Sequence, residues 1–386
     1  MMKLKSVFCA AVLAISISSA IAQETVKIGL LTTYSGPIGG HAGEMVDQVI
    51  NTWQKRYGDT IGDKKIEIVK RDTTGPNPEI AKRLTQELVY REKVQLLIGP
   101  DFTPNALAVA SLVTEAKIPT FLHAVATEGV VKKSPYFIRT FSTIPQTVRP
   151  AADRALKEGL KKVVTIVANY GPGLDAERVF AETYAKAGLT VAEQIRVPVK
   201  NPDFSSYIQR LRDARADGFY VYLLSGEMTI QFMRAYTASG LRDTKLKMIA
   251  TADLTDECCL AAQGDSMLGV VSVGVYSPAH DSSVNNAFVK DHLAANGKDA
   301  DISLLNVCVW DSLEIIRAGL LAQKGSKFDS DKFMQAIHGK TFESPRGPIK
   351  IEADGEITQD VYFRKVERKD GKLMNIEFET IKAVKG

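Results

Sequence analysis

The chain has 386 residues, 45% hydrophobic and 24% charged, with a formal net charge of +4, which suits a folded protein long enough for two ordinary domains. Basic residues are scattered rather than gathered in a stripe with aromatic ones, so nucleic acid is not expected as a partner. Past the N-terminus, no stretch approaches the roughly 20 uncharged apolar residues that a membrane-spanning helix needs.

Residues 1–22 read as a secretory signal. Lys3 and Lys5 precede the apolar run Val7 to Ile17, and Ala20-Ile21-Ala22 supplies small residues for cleavage, so the mature chain should begin near Gln23 and the product should be exported. Cys9 lies too early, and in the wrong surroundings, for a lipoprotein cleavage site. Cys258, Cys259 and Cys308 remain after cleavage, an odd number for an oxidising compartment. A ring between neighbours is strained, so either a bridge from one of the pair to Cys308 or three buried thiols is expected.

From Thr25 onward, short apolar strands alternate with amphipathic helices. Val26 to Leu31 reads as a strand, and Met45, Val46, Val49, Ile50 and Trp53 mark one helical face. Ile66 and Ile68 belong to a second strand, followed by a helix carrying Ile80, Leu84, Leu88 and Val89. Val94 to Ile98 is a third strand and Ile118 to Leu122 a fourth. A βαβαβαβ order implies a mainly parallel sheet covered by helices on both faces. After an extended segment from Tyr136 to Pro145 the pattern restarts. Strands at Val163–Ala168, Val191–Val197, Phe219–Leu224 and Lys247–Ala250 alternate with helices near Ala176–Lys186, Phe204–Ala214 and Met228–Ser239. Val270 to Tyr276 leads into helices near Val284–Ala295, Ser303–Ala322 and Asp331–Ile337. Ile349–Ile351, Tyr362–Val366 and Ile376–Ile381 close the chain as strands, the last two turning at Asp370-Gly371.

Ligands of open parallel sheets bind beyond the carboxyl ends of the strands. Two such sheets face to face would form a cleft from the loops at Thr32–Gly43, Gly99–Asn105, His123–Gly129, Asn169–Gly173, Leu224–Glu227 and Thr251–Thr255. The stretch Val94 to Ala110, VQLLIGPDFTPNALAVA, has the outline of an anion site: a buried strand, a tight loop, then a helix that Thr103 can cap with Pro104 at its first turn. Free N–H groups and the helix dipole at that terminus favour a carboxylate or phosphate.

Loop Thr32–Gly43 holds four glycines but matches neither common phosphate-binding pattern; it reads as a rim that lets His41 lean over a ligand. Gly171-Pro172-Gly173-Leu174-Asp175-Ala176 does match G-x-G-x-x-A, with Glu193 some way downstream, and is the chain's sharpest enzyme-like signal: a dinucleotide site in an exported enzyme. The usual hydrolase, zinc-protease and thioredoxin-type signatures are missing. His41, His123, His280, His292 and His338 show no metal-ligand spacing, and no metal or cofactor is expected.

The order of these segments resembles the periplasmic solute-binding proteins of ABC importers, of the branched-chain amino acid (Leu/Ile/Val-binding) type. The residues carrying the likeness are IGLLTTYSGP at Ile28–Pro37, DTTGPNPEIAKRLTQELV from Asp72, LLIGPDFTPNALAVA, AVATEG at Ala124–Gly129, SPYFIRT at Ser134–Thr140, YGPG at Tyr170–Gly173, DFSSYIQRL at Asp203–Leu211 and GVYSP at Gly274–Pro278. The likeness spans nearly the whole mature chain.

This resemblance implies a type I periplasmic binding protein, an α/β fold of two Rossmann-like lobes joined by three hinge crossovers near Thr140–Pro145, Val275–Pro278 and Asp354–Gln359. Lobe one would hold residues 23–141 and 277–356, and lobe two residues 142–276 and 357–386. It implies a monomer with no catalytic role, working with an inner-membrane ABC permease. A small carboxylate would be held in lobe one by Thr103 and the loop of Val125, Ala126 and Thr127, with His41 on the rim. Tyr170, Ser225, Gly226, Asp253 and Tyr276 would complete the site. Asp253 falls where amino-acid binders place an acid for the ligand's ammonium, so an amino acid is expected first, ahead of an aromatic carboxylate such as a benzoate derivative, or an amide or urea. The Ser225-Gly226 pair, lacking the tyrosines often found there, would leave room for a ligand that brings its own ring. Asp101, two residues from the carboxylate position, must then point away or meet a positive group.

Overall fold

Buried apolar strands flanked by turn residues set the architecture, and the computed structural model describes residues 23–36, 42–200 and 202–386. The expected signal segment at 1–22 and His41 on the rim lie outside the described residues.

The first sheet is built from β1 (Glu24–Thr32), β2 (Thr60–Ile61), β3 (Lys64–Asp72), β4 (Leu96–Ile98), β5 (Thr120–Leu122) and β6 (Phe137–Arg139). Helices α1 (Ala42–Tyr57), α2 (Pro78–Gln86) and α3 (Thr103–Glu115) connect them. The order across the sheet is β2-β3-β1-β4-β5-β6, parallel except for the short β2. Helix α2 starts as its sequence dictates: the Asn77 side chain accepts from the Ile80 N–H at 3.2 Å, with Pro78 in the first turn. The order in which strands are added reverses between β1 and β4, and that switch point opens the crevice where a doubly wound sheet binds its ligand.

The second sheet begins after α4 (Ile144–Lys157) with β7 (Val163–Ala168), β8 (Glu193–Val197), β9 (Gly218–Tyr222), β10 (Lys247–Thr251) and β11 (Val271–Gly274). Helices α5 (Gly171–Lys186), α6 (Phe204–Asp213), α7 (Glu227–Ala238) and α8 (Glu257–Gln263) alternate with these strands. The chain then forms α9 (Ser283–Asn296), α10 (Leu304–Leu321) and α11 (Ser330–Ile337), and closes with β12 (Thr341–Phe342), β13 (Ile349–Ile351), β14 (Ile357–Lys369) and β15 (Lys372–Lys385). Strands β8, β7, β9, β10 and β11 are parallel, and β14 joins β11 in the antiparallel sense. Every residue of β7 and β9 is buried, which is why they read as continuous apolar runs.

Two points differ from the sequence expectation. Helix α4 begins at the end of the segment read as extended, Tyr136 to Pro145, and runs on through residues 146–157, to which the sequence pattern assigns no element because Pro145 and Pro150 interrupt the helical periodicity; Pro145 sits harmlessly in the first turn, and the Gln146 side chain accepts the Thr143 N–H at 2.9 Å. Strand β13 pairs with the first residues of β14, so its ladder continues the second sheet. Its side chains nevertheless go elsewhere: Ile349, Ile351 and Ile357 pack with Ile28, Phe121, Trp310 and Phe333 over the first sheet. Helices α9 to α11 pack on that same core, whereas residues of β14 from Val361 onward pack with Val167, Phe180 and Tyr220 of the second.

Three buried arginines tie the connecting segments together. Arg139 donates to Glu356 at 2.6 Å. Arg346 donates to the Thr140 carbonyl at 2.5 Å and to Asp311 at 2.7 Å. Arg364 donates to the Tyr276 carbonyl and, at 3.0 Å, to Thr255. Each lies at one of the segments where the chain passes between the two sheets, and each is 1% exposed or less. Breaking a buried pair strands a charge, so Asp311→Ala should lower unfolding free energy by about 3–5 kcal/mol, read as a lower urea midpoint with an unchanged slope.

Candidate functional site

Loops from the carboxyl ends of both sheets meet in one cleft. A cavity of about 450 Å³ is lined by Phe102, Thr103 and Pro104 after β4, Ala124 and Ala126 after β5, and Phe141. Its opposite wall is Tyr170, Gly171 and Pro172 after β7, Val199 after β8, Tyr222 and Leu224 at the end of β9, and Asp253 after β10. A second cavity of about 200 Å³ shares Ala124, Ala126, Phe141, Tyr222 and Asp253 and runs toward the hinge, where Ser225, Asp256, Glu257, Tyr276 and Arg364 line it. Glu128 of the first sheet's loops reaches Arg178 of α5 at 3.4 Å and Arg149 of α4 at 3.9 Å, so the two halves already touch at the mouth.

Thr103 is the first residue of α3 rather than its cap; the capping position is Phe102, at φ 64° and without a side-chain capping bond. The reason lies one residue earlier. Asp101, 3% exposed, turns back toward β1, where one carboxylate oxygen accepts from the Thr32 hydroxyl and the Thr33 N–H, both at 2.7 Å. Its other oxygen lies 3.0 Å from His123 Nε2, without hydrogen-bond alignment. Asp101 thus points away from the cleft, and no positive group on the ligand is needed to meet it. Pulling Asp101 back forces Phe102 into the left-handed region and swings its ring into the cleft, a strained conformation of the kind found at binding sites. The tight turn before it needs Gly99, at φ 101°, since a Cβ there would sit 1.9 Å from the Leu31 carbonyl oxygen.

The Thr103 hydroxyl lies 2.8 Å from that of Thr127, so the loops after β4 and β5 present a hydroxyl pair beside the uncapped α3 terminus. Val125 is buried and contributes main chain only: Arg139 donates to its carbonyl, and to that of Thr127 at 2.8 Å. Burial lowers the Arg139 pKa, and the adjacent Glu356 carboxylate opposes that shift. Nothing in the one-dimensional pattern marks Arg139 as the support of this loop; a single basic residue inside an apolar strand is the signal it leaves.

Across the cleft, Ser225 donates to the Asp253 carbonyl at 3.0 Å, and Thr251 donates to the Asp253 carboxylate at 3.2 Å. Burial pushes the Asp253 pKa up to about 6 and that of Glu257 up to about 7. Burial, reinforced by the Asp253 charge, raises the pKa of Tyr170 and Tyr222, which remain protonated donors. Tyr276 presents only its ring face, its hydroxyl being committed to Asn285 at 2.9 Å. Gly226, at φ 104°, shapes the start of α7 and does not line either cavity.

The G-x-G-x-x-A segment does open α5 directly after β7, as a dinucleotide site requires. Glu193, however, pairs in register with Val164 at the opposite end of the sheet and is held by Arg210 at 2.6 Å, far from where a ribose would lie. Gly173 has a packing reason instead, because a Cβ would come within 1.9 Å of the Ala168 carbonyl oxygen.

Residues 25–372 match the family model described as periplasmic binding protein. The chain belongs to the periplasmic binding protein family. It is 38% identical over 365 residues to the Leu/Ile/Val-binding protein homolog 6 of Brucella melitensis, covering 94% of this chain and 93% of that one. Among solved structures, it is similar to a solute-binding protein of an ABC transporter from Rhodopseudomonas palustris HaA2 in complex with p-hydroxybenzoic acid. There the identity is 38% and the TM-score 0.88, over 93% of this chain and 98% of that one. A counterpart from R. palustris BisB5 in complex with 3,4-dihydroxybenzoic acid gives 37% and 0.87 over the same shares. The two-lobed type I fold and the ABC-transporter context are thus those of a periplasmic binding protein, and among the described residues no helix is long and apolar enough to cross a membrane.

Replacing Arg139 by Met should release the Val125 and Thr127 carbonyls, and hydrogen exchange measured by mass spectrometry should rise over residues 124–128 more than in the strands of either sheet.

Proposed function

We propose that the protein captures a small aromatic carboxylate of the hydroxybenzoate class and passes it to an inner-membrane ABC permease. It would work as an exported monomer whose two lobes, residues 23–141 with 277–356 and residues 142–276 with 357–386, hinge closed on the ligand. The observation that carries this reading is the wall of the larger cavity. Phe102, Phe141, Tyr170 and Tyr222 line it together with Leu107, Leu224, Pro76 and Pro172, and among the described residues its one carboxyl is that of Asp253, on the lobe opposite Thr103. A flat ring with a carboxylate at one end and a hydroxyl at the other suits such a distribution: a few placed polar groups fix orientation while apolar walls supply contact area. The ligands of the two R. palustris proteins support the same reading.

The carboxylate would bind at Thr103 and Thr127, against Ala126 and the free N–H groups of α3. Val125 would brace that loop and His41 would lean in from the rim. Asp253 would accept a hydrogen bond from the ring hydroxyl, with Ser225 and Gly226 fixing its loop and Tyr170 and Tyr276 covering the ring. The step is binding and closure, without covalent change, and closure is driven only as far as the closed state binds better than the open one.

A second reading, an aliphatic amino acid, is favoured by the acid at 253, which would hold an ammonium, and by the name of the Brucella relative. Calorimetric titration with 4-hydroxybenzoate, benzoate, leucine and urea separates the two: 4-hydroxybenzoate should bind tightest, and tighter binding of leucine would reverse the assignment.

Two further outcomes are expected. Thr103→Ala should weaken 4-hydroxybenzoate by about 1–3 kcal/mol, the cost of an unmade buried hydrogen bond, whereas unchanged affinity would place the carboxylate elsewhere. Because burial raises the Asp253 pKa to about 6, the acceptor form is lost as pH falls through that value. Affinity should therefore drop on acidification through about pH 6, and Asp253→Asn should flatten the profile at the weaker level. Folding in the absence of ligand has the opposite sign: a carboxyl whose folded pKa is raised favours the native state below its unfolded value, and that contribution fades as pH rises through about 6.

A further inference from the structure

Adjacent cysteines sit at the first turn of α8, directly behind the cleft. The Cys258 and Cys259 sulfurs are 2.7 Å apart with both thiols free. Cys258 is exposed while Cys259 is buried, so the expectation of three buried thiols fails at Cys258. Cys308 is a free thiol buried in α10 among the helices over the first sheet, not a partner for either.

The pair is wired to the ligand loop through one residue. Asp256 lines the inner cavity, its side chain caps α8 by accepting the Cys258 N–H at 3.3 Å, and its carbonyl accepts the Cys259 N–H at 3.0 Å. Glu257, the next residue, also lines that cavity and accepts from Asn375 at 2.6 Å. On the other side, the Gly226 N–H and the Thr229 hydroxyl face the Cys259 sulfur. With the Cys258 S–H, which contributes most, they lower the Cys259 pKa, while the shared proton and burial raise that of Cys258.

We propose that Cys258 and Cys259 form a reversible modification site, closed to a vicinal disulfide by thiol–disulfide exchange and coupled to the ligand cleft through Asp256. Cys258, the exposed thiol, passes its shared proton to the Cys259 thiolate and attacks a donor disulfide, forming a mixed disulfide and releasing one donor thiolate, which takes the proton from Cys259. The Cys259 thiolate then attacks the Cys258 sulfur and expels the second donor thiolate. Two protein thiols lose two protons and two electrons, and the donor disulfide is reduced to two thiols. Consecutive Cα atoms lie about 3.8 Å apart, short of the roughly 4.4–6.8 Å usual for a disulfide, so ring closure distorts the backbone at 258–259. That distortion falls on the two N–H groups that Asp256 holds, which frees Asp256 and Glu257 from their places in the cavity wall. Chain connectivity makes the bond easy to form, and the strain makes it easy to reduce.

The cleft arm of this inference rests on the proposed ligand class; the thiol arm does not. The purified protein is treated with oxidised glutathione, with dithiothreitol reversal as control, and followed by intact mass, peptide mapping, hydrogen exchange and titration with 4-hydroxybenzoate. Oxidation should remove two hydrogens, map to a 258–259 crosslink, leave Cys308 alkylatable after denaturation, and speed exchange over residues 253–260. Affinity for 4-hydroxybenzoate should fall about tenfold, the scale of one lost hydrogen-bonded contact. Cys259→Ser should instead trap glutathione on Cys258 and keep the affinity of the reduced protein. A crosslink to Cys308, thiols that stay free, or an oxidised form with unchanged exchange over 253–260 would each overturn the proposal. A reduced protein that ignores 4-hydroxybenzoate would count against the ligand class alone, since the mass and exchange measurements still decide the thiol chemistry.

Discussion

The guanidinium of Arg139 is the interaction on which the cleft depends. Fully buried, it joins the loop carrying Val125 and Thr127 to Glu356 at the start of β14, the strand that runs from one core into the other. A buried charge is costly unless each donor is matched, and here the matching partners are the ligand loop and a crossover. The position of the Thr127 hydroxyl, and through it that of Thr103, is thereby coupled to the segment about which the lobes hinge. Arg346 and Arg364 hold main-chain carbonyls at the other two crossovers, with Nε and Nη1 of Arg346 and Nε of Arg364 left without a partner among the described residues.

Asp101 shows the same economy at smaller scale. Its retreat toward Thr32 and Thr33 removes a negative charge from the carboxylate position and displaces the helix cap onto Phe102. The bare α3 terminus and the Phe102 ring therefore share one cause. Across the cleft, the wall is phenolic and apolar around one carboxyl whose ionisation burial has already weakened. In the proposed mode, two lobes of different chemistry would read the two ends of the ligand.

Much of this was legible in the sequence because alternating apolar strands and amphipathic helices leave a strong periodic trace. Strand β7 falls where the pattern Val163–Ala168 puts it, and the loops that line the cleft are those at the carboxyl ends of the strands. Thr103, Ala126, Tyr170, Ser225, Asp253 and Tyr276 do meet there, because topology brings switch-point loops together whatever their sequence separation. What stayed hidden depends on three-dimensional pairing. Helix α4 was masked by two prolines, one of which falls in a first turn. The role of Arg139 rests on a partner more than 200 residues away, and the facing of Phe141 and Tyr222 into the cavity depends on lobe placement. The strain expected of a ring between Cys258 and Cys259 argued against it from sequence, whereas folding separates Cys308 and presses the neighbours together.

The central claim, that a carboxylate-bearing ring lies between the hydroxyl pair of one lobe and the acid of the other, is tested most directly by a crystal structure of the protein grown with 4-hydroxybenzoate. The carboxylate is expected on Thr103 and Thr127 at the α3 terminus, the ring against Phe102, Phe141, Tyr170 and Tyr222, and the hydroxyl on Asp253. A ligand lying the other way round, or bound outside this cleft, would contradict that claim.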